Sequence, residues 1–256
     1  MPLFEAVGVR KRFGGVEALR GVDFSVEPGE VVGLMGDNGA GKSTLMKVIC
    51  GAYRPDEGEI RMAGRPQVFR SPRDAAACGI AVVYQNLGLV DQRSVAANVF
   101  LGQEPRRYGL VDTRRMRAEA REVLTTLRIR IPSVRMPVAG LSGGQRQCIA
   151  IARAVHQGGE LVLLDEPTAA LGPEQQQNVL SLIRDLREQG KAVVVVSHNV
   201  DHVLEVADRV VVMRGGLVSG MRDVAATTAA EVVGLILGNA PAAAHDGAPH
   251  ISGELA

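Results

Sequence analysis

Along the chain, short apolar runs alternate with stretches in which apolar residues recur every three or four positions. The first pattern predicts strands and the second predicts helices. Residues 4–9 and 15–26 carry β-like runs, with turns at Gly14-Gly15 and Pro28-Gly29. A strand over Val31 to Met35 follows. Leu45, Val48 and Ile49 then fall at helical spacing, and Gly51 is placed to stop that helix. Residues 58–70 predict a hairpin with Ile60 and Met62 on one face and Gly64-Arg65-Pro66 at its turn. Asp74 to Cys78 reads as a short helix. Ile80 to Val83 reads as a buried strand that delivers Tyr84-Gln85-Asn86 to its end.

From about Leu89 to His156 helical spacing takes over. Ser94 caps a helix over Val95 to Leu101. Met116, Ala120, Val123, Leu124 and Leu127 share one face of a helix over Thr113 to Leu127. Ile149, Ala152 and Val155 share a face of the helix opened by Leu141-Ser142-Gly143-Gly144-Gln145. A strand returns at Leu161 to Leu164. Pro173 stands in the first turn of a helix carrying Val179, Leu182, Ile183 and Leu186, which Gly190 ends. Ala192 to Ser197 is the next strand and Val200 to Ala207 a helix. Val210 to Met213 and Leu217 to Met221 form a hairpin, and Ala229 to Leu237 is the last helix. Residues 239–256 are rich in Ala, Pro, Gly and His and read as a disordered tail. Strands alternating with helices predict an α/β fold: a mainly parallel sheet, an antiparallel β subdomain near the start, and a helical subdomain over about 89–156.

Composition narrows the setting. The 256 residues suit one large domain, or a domain with a lobe, and the 46% apolar content suffices for a core. A net charge of +1 gives no global pull toward nucleic acid. No apolar run nears the ~20 residues that span a bilayer. The opening Met1-Pro2-Leu3-Phe4-Glu5 lacks the basic start and apolar stretch of a signal peptide, so the chain is expected in the cytoplasm. Cys50, Cys78 and Cys148 are odd in number and far apart, and read as reduced thiols.

The chemistry concentrates in Gly36-Asp37-Asn38-Gly39-Ala40-Gly41-Lys42-Ser43-Thr44, which fits G-x-x-x-x-G-K-[ST]. Gly36, Gly39 and Gly41 let the backbone curl with positive φ, so that its N–H groups converge on a phosphate. Lys42 adds positive charge near the β/γ-phosphates, Ser43 offers a hydroxyl to Mg²⁺, and the following helix points its N-terminus at the same anion. Asp165 and Glu166 end an apolar strand. Asp165 suits Mg²⁺, chiefly through the metal's water shell, which leaves Glu166 to orient or deprotonate an attacking water. His198 follows the Ala192 strand and can donate an imidazole N–H to a phosphate oxygen. The Gln85 amide can accept from a metal-bound water and donate to a phosphate. In an open α/β sheet, ligands bind at the carboxyl ends of the strands, where these four features fall. Ser142, Gly143 and Gly144 present a second anion site at a helix start. One phosphate loop and two such helix starts are reconciled by a dimer in which the second site closes on the partner's nucleotide.

Together these residues make the chain resemble the ATP-binding-cassette ATPases, over roughly residues 3–238. Gly36 to Thr44 is similar to the family's Walker A motif, Gln85 to its Q-loop, Leu141 to Gln145 to its signature, Leu161 to Glu166 to Walker B and His198 to the H-loop. The resemblance implies ATP and Mg²⁺ as cofactors, a head-to-tail homodimer holding ATP between Walker A and the opposite signature, and an aromatic under the adenine. Phe13 matches that place. It further implies membrane permease subunits as partners and, indirectly, a periplasmic or extracellular sugar-binding protein, with the ATPase peripheral on the cytoplasmic face of the cell (inner) membrane. Ala169-Ala170-Leu171-Gly172 departs from the family's usual Ser-Ala-Leu-Asp and, with residues 82–102, resembles single-cassette ribose/xylose/fructose-type sugar importers. Import of amino acids or another solute, and a soluble ATPase outside transport, are the rival readings. Residues 106–135 hold nine arginines against Asp112, Glu119 and Glu122. They read as a solvated helix face, or as a contact with acidic permease loops or anionic lipid.

Overall fold

The structure is a computed structural model and describes residues 1–239. The tail predicted over 239–256 falls, apart from its first residue, outside the described residues. The chain opens with an antiparallel pair, β1 (Phe4–Phe13) and β2 (Val16–Val26). Next come β3 (Val31–Gly36) and α1 (Lys42–Ile49), then β4 (Glu57–Met62), β5 (Arg65–Gln67), α2 (Pro72–Ala77) and β6 (Ile80–Val83). A lobe follows: α3 (Val95–Val99), the small strands β7 (Arg106–Arg107) and β8 (Leu110–Val111), α4 (Thr113–Thr126) and α5 (Gly143–His156). β9 (Leu161–Asp165), α6 (Pro173–Glu188), β10 (Ala192–Val196), α7 (Val200–Val206), β11 (Arg209–Arg214), β12 (Leu217–Asp223) and α8 (Ala229–Leu237) complete it.

The central sheet has strand order β12-β11-β3-β10-β9-β6. All neighbours are parallel except β12, which runs antiparallel to β11. A second, antiparallel sheet has order β2-β1-β4-β5. The apolar runs of the central strands make sense once both faces are covered. Val162, Leu164, Val193 and Val195 enter a core shared with the helices, including α5 and α6. Leu161, Leu163, Val194 and Val196 point to the other face, into a core with α1 and the antiparallel sheet. The period-2 alternation of strand side chains thus divides one run between two cores. Among the described residues, no helix is long and apolar enough to cross a membrane.

Four details differ from the sequence expectations. The β4–β5 turn is Ala63-Gly64, both with positive φ, and Arg65 and Pro66 already belong to β5. Pro66 is tolerated because β5 is an edge strand. Residues 80–83 form the sheet's edge, and Ala81 and Val82 are half-buried rather than buried. The Ser94-capped helix stops at Val99, two residues before Leu101. Inside the predicted helical stretch, Tyr108 and Gly109 both take positive φ and close the β7–β8 hairpin. Two-residue strands show no alternation to read, although a central Gly between paired runs is the usual mark of such a turn.

Candidate active site

The loop between β3 and α1 is shaped by glycine where nothing else fits. Gly36 has φ 142°, and a Cβ there would lie 2.2 Å from the Met213 carbonyl oxygen. Gly41 has φ 105°, with the Ala18 carbonyl oxygen 2.8 Å from a Cβ position. Gly39 has φ 81° and open space around it. Gly41 is the N-cap of α1 and supplies no side-chain cap, so the first N–H groups of the helix stay available to a ligand. Lys42 folds back over the loop and donates to the carbonyls of Gly36 (2.7 Å) and Asp37 (2.9 Å). Burial pushes its pKa down, against the opposing charges of Glu166, Asp37 and Asp165. Asp37, Asn38 and Ser43 are exposed, Thr44 is half-buried, and Ala40 is buried against the antiparallel sheet.

The acidic pair sits at the end of β9, two strands from β3. Burial and the neighbouring Glu166 raise the pKa of Asp165, while Lys42 and Lys47 draw it down. A half-buried carboxylate destabilised by its own neighbour is an environment that a cation relieves. Glu166 takes φ 49°, a left-handed conformation that costs a residue with a Cβ about 1 kcal/mol or more. Its N–H donates to the Val196 carbonyl (2.8 Å), which turns the chain away from the sheet and aims the side chain across β10. One carboxylate oxygen meets His198 Nδ1 at 2.8 Å, and the other accepts from the Ser197 hydroxyl at 3.3 Å. Parallel register explains the meeting: Val196 lies beside Asp165, so the next residues of the two strands are neighbours. In the tautomer whose Nδ1–H donates to the carboxylate, a neutral ring carries only a lone pair at Nε2.

Gln85 is exposed just beyond β6, at the same edge of the sheet. The segment after it is held by Arg153 of α5, whose guanidinium donates to the carbonyls of Leu87 (2.6 Å) and Gly88 (2.8 Å). Buried Asn98 fixes the next stretch, accepting from the Val90 N–H and donating to the carbonyls of Val90, Arg93 and Ser94. Phe13 ends β1 with 42% of its surface exposed and packs edge-to-face on Tyr53 at 5.1 Å, which leaves ring area free for a base.

The α5 start lies elsewhere. Ser142 and Gln145 form a reciprocal capping box: the Ser142 hydroxyl accepts from the Gln145 N–H (3.3 Å), and the Gln145 amide oxygen accepts from the Ser142 N–H (3.1 Å). Gly143 is exposed, but Gly144 is buried, and a Cβ there would meet Gln175 at 2.8 Å. Gly144 thus packs closely against α6, where no side chain would fit, while it also lines the cleft at this helix start. A cleft of about 860 Å³, lined among others by Ser142, Gly144, Gln145 and Gln175, opens here, and none of residues 36–44 lines it.

Ser197, Arg153 and Asn98 were not singled out from sequence. Ser197 and Arg153 work through partners distant in the chain, 31 and 66 residues away. Asn98 is an ordinary helix residue until its burial is known.

A phosphate loop joining a central parallel strand to a helix, with carboxylates ending a nearby strand, is the architecture of a P-loop nucleotide-binding protein. Comparison with known proteins narrows the class. The family profile described as "ABC transporter" matches residues 19–169. The fructose import ATP-binding protein FrcA of Rhizobium meliloti is 48% identical over 223 residues, covering 84% of this chain and 86% of that one. The ribose import ATP-binding protein RbsA 1 of Rubrobacter xylanophilus is 48% identical over 219 residues, 86% of this chain but 44% of its own length. The dimeric post-hydrolysis structure of the ATP-binding cassette MJ0796, bound to ADP and Pi, superposes with a TM-score of 0.72 at 27% identity, over 86% of this chain and 98% of that one. The chain belongs to the ABC transporter family, and it is an ATP-binding-cassette ATPase.

Proposed function

We propose that this chain binds and hydrolyses MgATP as a homodimer, seated beneath membrane permease subunits on the cytoplasmic face of the membrane. In this reading it powers import of a monosaccharide delivered by an extracellular binding protein. The observation that carries the reading is the Glu166 carboxylate, held by His198 and Ser197 close to the Lys42 loop. Glu166 is the group that orients and deprotonates the attacking water. Loop amides of Gly36 to Thr44 bind the phosphates, and Lys42 exchanges its two carbonyl partners for phosphate oxygens. Ser43 and Asp165 would hold Mg²⁺, with Gln85 reaching it through water, and the raised pKa of Asp165 fits that task. Bound Mg²⁺ neutralises phosphate charge. Phe13 stacks on the adenine. The separate cleft at Ser142 supports the dimer, because the α5 start then serves ATP on the opposite subunit. The fructose and ribose named for its relatives support a sugar as cargo.

The test is Glu166→Gln in the assembled transporter. ATP affinity should persist while turnover falls about a thousandfold, with the dimer trapped on ATP. Turnover at the wild-type rate would remove Glu166 from the role of base.

A further inference from the structure

Residues 105–121 carry charge and exposed apolar surface that the ATP site does not use. The β7–β8 hairpin is tied to the start of α4, because the Asp112 N–H donates to the Pro105 carbonyl (2.7 Å) and the Asp112 carboxylate caps the helix through the Arg115 N–H (2.9 Å). At the hairpin's tip Tyr108 is 92% exposed and Leu110 77%. Arg106 and Arg107 flank them, both exposed, and the Arg107 guanidinium lies 5.4 Å from the Tyr108 ring centre.

On α4 one stripe of charge is wholly positive and another is mixed. Arg114, Arg117 and Arg121, spaced i, i+3 and i+7, form one stripe. Arg115, Glu119 and Glu122 occupy another side, where Arg115 pairs with Glu119. Met116, Ala120 and Leu124 are buried and turn the helix's third side to the core. Among the described residues, none of Arg106, Arg107, Arg114, Arg117 and Arg121 stands in an ion pair, although Arg106 lies in the field of Glu104. A solvated helix face would interleave the signs, as the Arg115 side does. Unneutralised arginines beside an exposed Tyr and Leu instead match a boundary between anionic headgroups and acyl chains. An acidic peptide would answer the arginines and leave the apolar tip without a role.

We infer that the hairpin and the arginine stripe of α4 form a docking surface for anionic phospholipid, with Tyr108 and Leu110 entering the headgroup–acyl boundary. This contact goes beyond the transport reading, because it needs neither permease nor cargo. The test is co-sedimentation of the full chain with phosphatidylcholine vesicles, with and without phosphatidylglycerol. The chain should sediment with the anionic vesicles alone, and less as salt rises. Arg106→Ala with Arg107→Ala should weaken binding about thirtyfold. Tyr108→Ser with Leu110→Ser should weaken it about tenfold at unchanged charge. ATP hydrolysis by the assembled transporter should be unchanged in both, so the fate of the Glu166 assignment stays separate. Equal sedimentation with neutral vesicles, or wild-type binding by the Tyr108/Leu110 variant, overturns the proposal. So does binding of acidic permease peptides without any binding of vesicles.

Discussion

Two helix starts, read from sequence as two anion sites, are built in opposite ways. α1 begins at Gly41, whose left-handed backbone leaves the first amides without a side-chain cap. α5 begins at Ser142, whose hydroxyl and Gln145 amide close on each other. An uncapped start is incomplete without its ligand, whereas a capped start is stable alone and can only share its hydroxyl with one. On the proposed reading, the first binds nucleotide within its own chain. On the same reading, the second meets ATP held by a second subunit, and its capping box keeps it in shape without the ligand.

Four substitutions press on that difference. The largest effect belongs to Gly36→Ala, where the new methyl meets the Met213 carbonyl and the backbone stays left-handed. Stability should fall by about 3 kcal/mol or more, and ATP binding should vanish, read by thermal melting and nucleotide titration. Retained binding would mean that the loop is looser than its geometry. Next, Ser197→Ala removes the hydroxyl that steadies Glu166. kcat should fall about tenfold while KM for ATP holds, and Ser197→Thr should restore it. A fall shared equally by kcat and KM would point to a general structural defect. Third, Ser142→Ala should cost about 1 kcal/mol as a lost cap. ATP binding by the separate chain should be unchanged and hydrolysis by the transporter reduced. Weaker ATP binding in the separate chain would erase the contrast between the two helix starts.

The smallest effect concerns pH. The folded pKa of Asp165 is raised, so its charge opposes folding at any pH above the ordinary carboxylate range, and stability is regained as pH falls through the raised value. Asp165→Asn should stabilise the nucleotide-free chain at neutral pH by less than about 1 kcal/mol, because the group is half-exposed and screened. The gain should fade in acid, as followed by melting across pH.

Much of this was legible in the residues. Val193 to Val196 and Leu161 to Leu164 announce strands buried on both faces, because short apolar runs of β-branched and Leu residues suit a parallel sheet covered on both sides. Gly36, Gly39 and Gly41, spaced as the phosphate-loop motif spaces them, point to positive φ, which a Cβ disfavours. These are local constraints, paid within a few residues of the chain. The 106–111 hairpin and the edge position of β6 were not legible. A two-residue strand has no period, and strand order is set by which crossovers pack.

The sequence alone therefore named the residues proposed to touch a phosphate, a metal and a water. Tertiary packing decided which of them meet. Parallel register set Ser197 and His198 beside Glu166, and a guanidinium on α5 took hold of the segment after Gln85. Packing against Gln175 left no room for a side chain at Gly144. Backbone angles are properties of single residues, whereas these meetings are properties of elements far apart in the chain, and their positions follow from how the two cores fill.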